Sequence, residues 1–323
     1  MPLLKRIQRL VALVTKLKPV RAFQGYSSAR GPILASGLAY SALFSVFAAV
    51  WVLFSVAGLV LAGNTLLQNQ LISGLSDSIP GLISTSGSSG AIKPADLLKT
   101  QTFSWTGIIA LVGGLVTALG FLGSARDGIR AMFGLPSAAG NFVLVKLKDL
   151  AFLIGFAVTI IVSTVLAVVG TAATGFVLGL VGIASDSVVG NIAGRVVSLA
   201  LVIAIDSAVV GTMLRLLAKI RIPWSYLRGG ALLGGVGAAV LTVAFQLGVV
   251  GGASKNPLLG SFVVIIGLLV FFNFLCQVIL IAAKWVATGM ADDGKNVNDK
   301  QTERMPRGAR PRPTGPRLRR AKL

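Results

Sequence analysis

Five long stretches of this sequence contain no charged residue, and they constrain the fold more than any other feature. They cover residues 31–76, 100–125, 150–185, 229–254 and 256–283. Each can hold the roughly 20 apolar residues that cross a hydrocarbon core of about 30 Å. A sixth stretch, residues 196–214, has the same character apart from Asp206. The pattern predicts an all-α protein whose helices span a membrane.

The overall composition agrees with a membrane location along the whole chain. Charged residues make up 12% of the 323 residues, whereas soluble domains carry about 25%. We predict six spans, at about residues 33–62, 104–123, 150–180, 196–218, 229–252 and 259–285. The expected domains are an N-terminal segment (1–31), a six-helix transmembrane domain (32–287, with a long external loop at 64–102) and a basic tail (288–323) that we expect to be disordered.

Basic residues alternate between the segments that separate these spans. The N-terminal segment, the second and fourth loops and the C-terminal part hold seven, four, four and eleven Lys and Arg residues. The three intervening loops hold only two, one and one. By the positive-inside rule, both termini are expected in the cytoplasm, and the net charge of +20 is mainly a topology signal.

Both ends of the chain have features that suit anionic lipid headgroups. Residues 3–17 place apolar residues at helical spacing with basic residues around them, which predicts an amphipathic helix lying on the membrane interface. The alternative is a solvated segment that only fixes the orientation. The tail from Arg304 has eight basic residues and no acid. It also lacks the aromatic side chains that stack on bases, so nucleic acid is not an expected partner.

Polar residues inside the predicted spans are the candidates for a functional site. Asp206 lies near the middle of the fourth span, where a charge costs about 2.5–3.5 kcal/mol on insertion scales. Asn273 and Gln277 are four residues apart in the sixth span and share one helix face. Because both spans run in the same direction, we predict that Asp206 and Asn273 face each other at mid-depth. The alternative is a structural Asp206 that hydrogen-bonds to neighbouring helices.

Basic residues at the cytoplasmic ends of the spans form a second candidate group. We expect the side chains of Arg126, Arg130, Arg221 and Arg228 to contact an anionic headgroup, with topology and snorkelling as the alternative explanation. Lys284 is expected to extend to the surface. Gly230 and Gly234 have the small-xxx-small spacing that lets helices approach closely, a pattern that also leaves a homo-oligomer open.

Three segments resemble the YihY/BrkB family of bacterial inner-membrane proteins. They are "ASGLAYSALFS" (35–45), "RIPWSYLRGGALLGG" (221–235) and "LLVFFNFLCQVILIAAKWVAT" (268–288), the last similar to the YhjD-type branch. The resemblance implies a multi-pass protein of the bacterial cytoplasmic membrane with six spans and both termini inside. It also implies a function centred on export of lipid or lipopolysaccharide precursors. Where many relatives carry Gly-Ala-Glu, this chain has Ala282-Ala283-Lys284, so a role for that acid does not carry over.

The residue inventory argues against an enzyme. Relatives have carried a ribonuclease BN label, but metal-dependent hydrolysis of RNA needs clustered His or carboxylate ligands. This chain has no histidine, a lone Cys276 and ten scattered acids. We therefore expect no catalytic residue, metal or cofactor. The favoured function is transport of a lipid-like or anionic amphiphile, and the alternative is a membrane scaffold that recruits partners or anionic lipid through its basic ends.

Overall fold

The computed structural model describes residues 15–60, 72–73, 76, 105–137, 144–155, 158, 188–252 and 257–294. Its helices are α1 (Lys18–Ser28), α2 (Gly31–Val60), α3 (Trp105–Met132), α4 (Val188–Thr212), α5 (Trp224–Gly252) and α6 (Pro257–Asp292), with a π-helical turn at Met213–Leu217 directly after α4. Residues 144–155 are also helical. The described part of the chain contains no strand. The predicted all-α class is confirmed for this part of the chain.

Four of the described helices contain a segment long and apolar enough to cross a membrane. The segments are Gly31–Val50, Leu199–Leu217, Trp224–Leu247 and Ile265–Asp292, and they overlap the first, fourth, fifth and sixth predicted spans. Helix α3 contains nearly all of the second predicted span and continues to Met132. Most of the third predicted span, the external loop, the amphipathic helix predicted at 3–17 and the basic tail lie outside the described residues.

The apolar helices extend beyond the spans predicted for them, as α5 and α6 illustrate. Helix α5 begins at Trp224, because the backbone N–H groups of Tyr226 and Leu227 each donate to the carbonyl of Pro223 at 3.1 Å. Helix α6 continues to Asp292. A boundary based on charge marks where the bilayer ends, whereas a helix continues as long as its residues find packing partners. The last turns of α6 find theirs on α1.

Helix α5 packs against both α4 and α6, and its glycines set the distance between the helix backbones. A Cβ placed on Gly235 would lie 2.6 Å from the backbone nitrogen of Ser207 in α4. On the α6 side, a Cβ placed on Gly230 would lie 3.2 Å from the carbonyl oxygen of Ala282. The backbones are therefore in direct contact at both interfaces. The small-residue pair Gly230 and Gly234 serves contacts within this chain.

Helix α2 packs against α3 and α6. Ala48 of α2 meets Gly114 of α3, where an added Cβ would lie 2.9 Å from the Ala48 methyl group. The Ser45 hydroxyl donates to the carbonyl of Thr117 at 3.1 Å and links the same two helices. Small residues and interhelical hydrogen bonds are the usual means by which helices associate in a membrane.

Helix α1 docks on the last turns of α6. The Lys18 ammonium lies over the Trp285 ring, 4.7 Å from its centroid, and Arg21 forms an ion pair with Asp292. Tyr26 is 1% exposed and belongs to the main apolar core. The N-terminal segment predicted to lie on the membrane surface therefore also contributes a helix to the folded bundle.

We predict that Gly235→Ala destabilises the protein, because the new methyl group would collide with the α4 backbone. Overpacking of this kind typically costs about 1–3 kcal/mol. The matched control is Gly120→Ala in α3, where an added Cβ meets no atom within 4 Å. The free energy of unfolding in mixed micelles, measured by denaturant titration, tests both variants. Equal stabilities for the two variants would contradict backbone contact between α4 and α5.

We also predict an alkaline loss of stability that depends on Tyr26. Its hydroxyl is buried and has no hydrogen-bond partner in the described chain. Burial, with a smaller contribution from Cys276, raises the pKa of Tyr26 to about 12, compared with about 10 in an unfolded chain. The folded state then holds the proton more tightly, so stability is lost as the pH rises from about 10 to about 12.

The Tyr26→Phe variant removes this titration and an unsatisfied hydroxyl. We expect it to equal or exceed the parent by about 0–1 kcal/mol at neutral pH, and to lose less stability on alkaline titration. Denaturant unfolding of both proteins across this pH range gives the difference. Parallel alkaline losses in parent and variant would show that Tyr26 is not the titrating group.

Candidate functional site

A short chain of polar side chains connects α6 to α2, from the half-buried Asn273 and Gln277 to the exposed Ser36. The Gln277 Nε2 donates to the Asn273 Oδ1 at 2.6 Å, and the Asn273 Nδ2 donates to the Ser36 Oγ at 3.1 Å. The Ser36 hydroxyl donates in turn to the carbonyl of Pro32 at 3.0 Å. Asn273 and Gln277 therefore share a helix face at the spacing used to predict them, and that face is turned toward α2.

The structure does not bring Asp206 to this polar chain. Asp206 is half-buried in α4, and no described side chain forms a hydrogen bond or ion pair with it. Its neighbour Ser207 packs against Gly235 of α5. No hydrogen bond joins Asp206 to Asn273 among the described residues, because the Asn273 side chain bonds to Ser36 of α2 and to Gln277.

The register along α5 explains why the depths differ. Val210 of α4 and Ala282 of α6 both meet Gly234, so these two residues lie at the same level. Asp206 is four residues before Val210, and Asn273 is nine residues before Ala282. At 1.5 Å per residue, Asn273 lies roughly 7 Å farther from that level than Asp206 does. Gln277 is close to the depth of Asp206.

Several charged side chains expected at the surface are buried at one end of the bundle. This end, which we call the basic end, carries Arg126, Arg130, Arg221, Arg228 and Lys284. Arg126 forms an ion pair with Asp149, and both side chains are 3% exposed. Arg130 donates from Nε to the carbonyl of Pro136 at 2.8 Å and from Nη1 to the carbonyl of Ala218 at 3.1 Å.

Lys284 is also inside the protein, where the sequence suggested a side chain that extends to the surface. It is 7% exposed, and its ammonium donates to the carbonyl of Met132 at 2.9 Å. Met132 is the last residue of α3, and Ala218 directly follows the π-helical turn after α4. Carbonyls at helix ends lack partners within the helix and carry the negative end of its dipole. Lys284 and Arg130 therefore cap two neighbouring helix ends.

The two remaining basic residues of this end, and the nearby Lys219, are exposed. Arg221 and Arg228 are exposed, so only these two members of the predicted headgroup set are accessible in the structure. Lys219 follows the π-helical turn, and burial together with the charges of Arg126 and Lys148 lowers its pKa. A high local density of positive charge thus persists beside the buried ion pair.

Sequence reasoning missed Ser36 and Asp149 as partners. Asp149 stands close to Lys146 and Lys148 in an otherwise basic segment, and an isolated acid there is a usable signal for an ion pair. No local signal identifies Ser36, because its role depends on how α2 lies against α6. Within the described residues, no group of three or more His, Cys, Asp or Glu side chains is placed to hold a metal ion.

Comparisons with known proteins find relatives over most of the chain. Residues 22–306 match the family model described as Virulence factor BrkB. The chain is 22% identical over 286 residues to the inner membrane protein YhjD of Escherichia coli (strain K12), covering 87% of this chain and 83% of that protein. It is 23% identical over 284 residues to an uncharacterised protein of Dickeya dadantii (strain 3937), covering 86% and 84%. No solved structure matches the chain.

Two ion pairs among the described residues, Arg126–Asp149 and Arg21–Asp292, give a matched prediction. Removing one partner of a buried pair leaves an uncompensated charge and costs about 3–5 kcal/mol, whereas an exposed pair contributes about 0–1 kcal/mol. We therefore predict a large loss of stability for Asp149→Asn. Asp292→Asn should have little effect, because the side chains of Arg21 and Asp292 are 27% and 36% exposed.

The free energy of unfolding in micelles measures both variants. In addition, replacing both buried partners with apolar residues, Arg126→Met with Asp149→Leu, should recover most of the stability lost in Asp149→Asn. Similar small losses for Asp149→Asn and Asp292→Asn would contradict the burial of the Arg126–Asp149 pair.

Proposed function

This chain belongs to the family described as Virulence factor BrkB, and from that premise we propose that it moves an anionic, lipid-like amphiphile between the leaflets of the membrane. It is a helical protein of the inner membrane, with four described helices that contain membrane-spanning segments. The finer topology is part of the proposal: six spans with both termini in the cytoplasm. In this topology α3 and the helix that includes residues 144–155 supply the second and third spans.

The alternation of charge along the sequence supports this topology. The basic end then faces the cytoplasm, where the segments rich in Lys and Arg are expected. Helices α4 and α6 run in the same direction along α5, as two spans separated by a single span must.

The observation that carries the transport proposal is Asp206 itself. A carboxylate in a membrane-spanning helix is costly, and such groups usually face a bundle interior or a water-filled path. Within the described residues, Asp206 has neither the ion pair nor the hydrogen bonds that would explain it as a structural group. We propose that it contacts the polar part of the substrate or a coupling proton during passage. Asn273 and Gln277 then supply polar contacts from α6.

Arg221 and Arg228 are proposed to receive the anionic headgroup at the basic end, because both side chains are exposed. Arg126 and Arg130, which the sequence placed in the same group, contribute through the local positive potential. Their side-chain nitrogens already bind Asp149 and main-chain carbonyls.

The test is translocation of a fluorescent anionic phospholipid by the purified protein in vesicles. Asp206→Asn should reduce the rate by about 10–100-fold, because it removes a charge-assisted hydrogen bond worth about 1.5–3 kcal/mol. The matched control is Thr212→Val, since among the described residues the Thr212 hydroxyl bonds only to the Ala208 carbonyl of its own helix. Unchanged translocation in a normally inserted Asp206→Asn protein would refute the role of Asp206.

A truncation separates transport from recruitment through the tail. Deleting residues 295–323 keeps Asp292 and Asp293, which bind Arg21 and Tyr226, so the bundle should fold. We expect the truncated protein to keep most of its translocation activity. The scaffold alternative predicts a different result. The protein would then translocate no lipid with or without its tail, and truncation would abolish its role in the cell.

A further inference from the structure

An apolar groove runs between α5 and α6 on the outside of the described bundle. Its volume is about 590 Å³, and its lining includes Gly229, Leu232, Val236, Gly237, Val278 and Trp285. A volume of this size falls within the roughly 300–1,000 Å³ of typical small-molecule sites. Because both helices contain membrane-spanning segments, the groove lies at the depth of the acyl chains of the bilayer.

The groove exists because of where the glycines stand. Gly230 and Gly234 bring the two backbones together, and the neighbouring Gly229 and Gly237 contribute no side chain to fill the cleft beside that contact. A Cβ on Gly229 would meet only the Trp285 indole nitrogen, at 3.9 Å. Apart from Trp285, the residues that line the groove are glycines and aliphatic residues without hydrogen-bonding side chains, as a hydrocarbon chain requires.

The mouth of the groove is aromatic and basic. Trp285 lies at this end with the Lys18 ammonium above its ring, and Trp residues prefer the interface between hydrocarbon and headgroups. Arg228 is exposed and directly precedes Gly229. The carboxylates of Asp292 and Asp293 at this end accept hydrogen bonds from Arg21 and Tyr226.

We propose that this groove binds one anionic glycerophospholipid, with an acyl chain between α5 and α6 and the phosphate between Lys18 and Arg228. The apolar floor fits the chain, and the two cations match the charge of the phosphate. The site would hold such a lipid whether or not the protein transports one, so this proposal does not depend on the function of Asp206.

The experiment measures quenching of Trp285 by brominated acyl chains. A protein that keeps Trp285 as its single tryptophan is reconstituted into equimolar phosphatidylcholine and phosphatidylglycerol vesicles. In one set of vesicles the phosphatidylcholine is brominated, and in the other set the phosphatidylglycerol is brominated. The surface charge of the two sets is therefore identical. We expect stronger quenching when phosphatidylglycerol is brominated, with a preference of about fivefold for each of the two cations.

Three variants assign the preference to the groove. Lys18→Gln with Arg228→Gln should bring the two quenching curves together, and Gly229→Leu should weaken quenching by filling the mouth. Gly120→Leu in α3 is the matched control and should change nothing, because an added Cβ meets no atom within 4 Å there. Soluble glycerol phosphate should not compete, because it lacks the acyl chain.

Equal quenching by the two lipids in the parent would overturn the proposal. A preference for brominated phosphatidylglycerol that survives the double substitution of Lys18 and Arg228 would also overturn it. This comparison does not depend on whether Gly229→Leu folds. Asp206→Asn should keep the lipid preference. A protein that fails the translocation test can therefore still pass this one, and the two failures are distinguishable.

Discussion

Close backbone contact along α5 is the interaction on which the rest of the described bundle depends. In a membrane, lipid tails are as apolar as the side chains, so helices associate through tight packing rather than through the hydrophobic effect. Gly235 brings α5 onto α4, and Gly230 brings it onto α6. Helix α6 in turn holds α1 and α2. The depth of every polar group relative to its neighbours follows from this register.

The buried charges at the basic end solve a second problem of the same environment. Helix ends present carbonyl groups without partners in the helix, and those of Met132 and Ala218 are buried within the protein, since both residues are 0% exposed. The Lys284 ammonium donates to the carbonyl of Met132, the last residue of α3. The Arg130 guanidinium donates to the carbonyl of Ala218, which follows the π-helical turn after α4. Positive charges on this side therefore hold helix ends together and, in the proposed topology, also keep this side in the cytoplasm.

The sequence predicted the features that are set by the geometry of a single helix, and it missed the features that depend on how two helices pack. The charge-free stretches located the apolar helices, and the four-residue spacing placed Asn273 and Gln277 on one face. Both properties are set by the geometry of one helix. The burial of Lys284 could not be predicted, because it depends on the end of α3 lying nearby. The depth of Asp206 relative to Asn273 was missed because no local pattern encodes the contacts that fix the register of α5.

The geometry of α6 connects the two proposals. Asn273 and Gln277 lie on the face toward α2, while Val278 and Trp285 line the groove on the face toward α5. At 100° per residue these faces are roughly a third of a turn apart. An amphiphile in contact with α6 would therefore meet an apolar surface and a polar surface side by side.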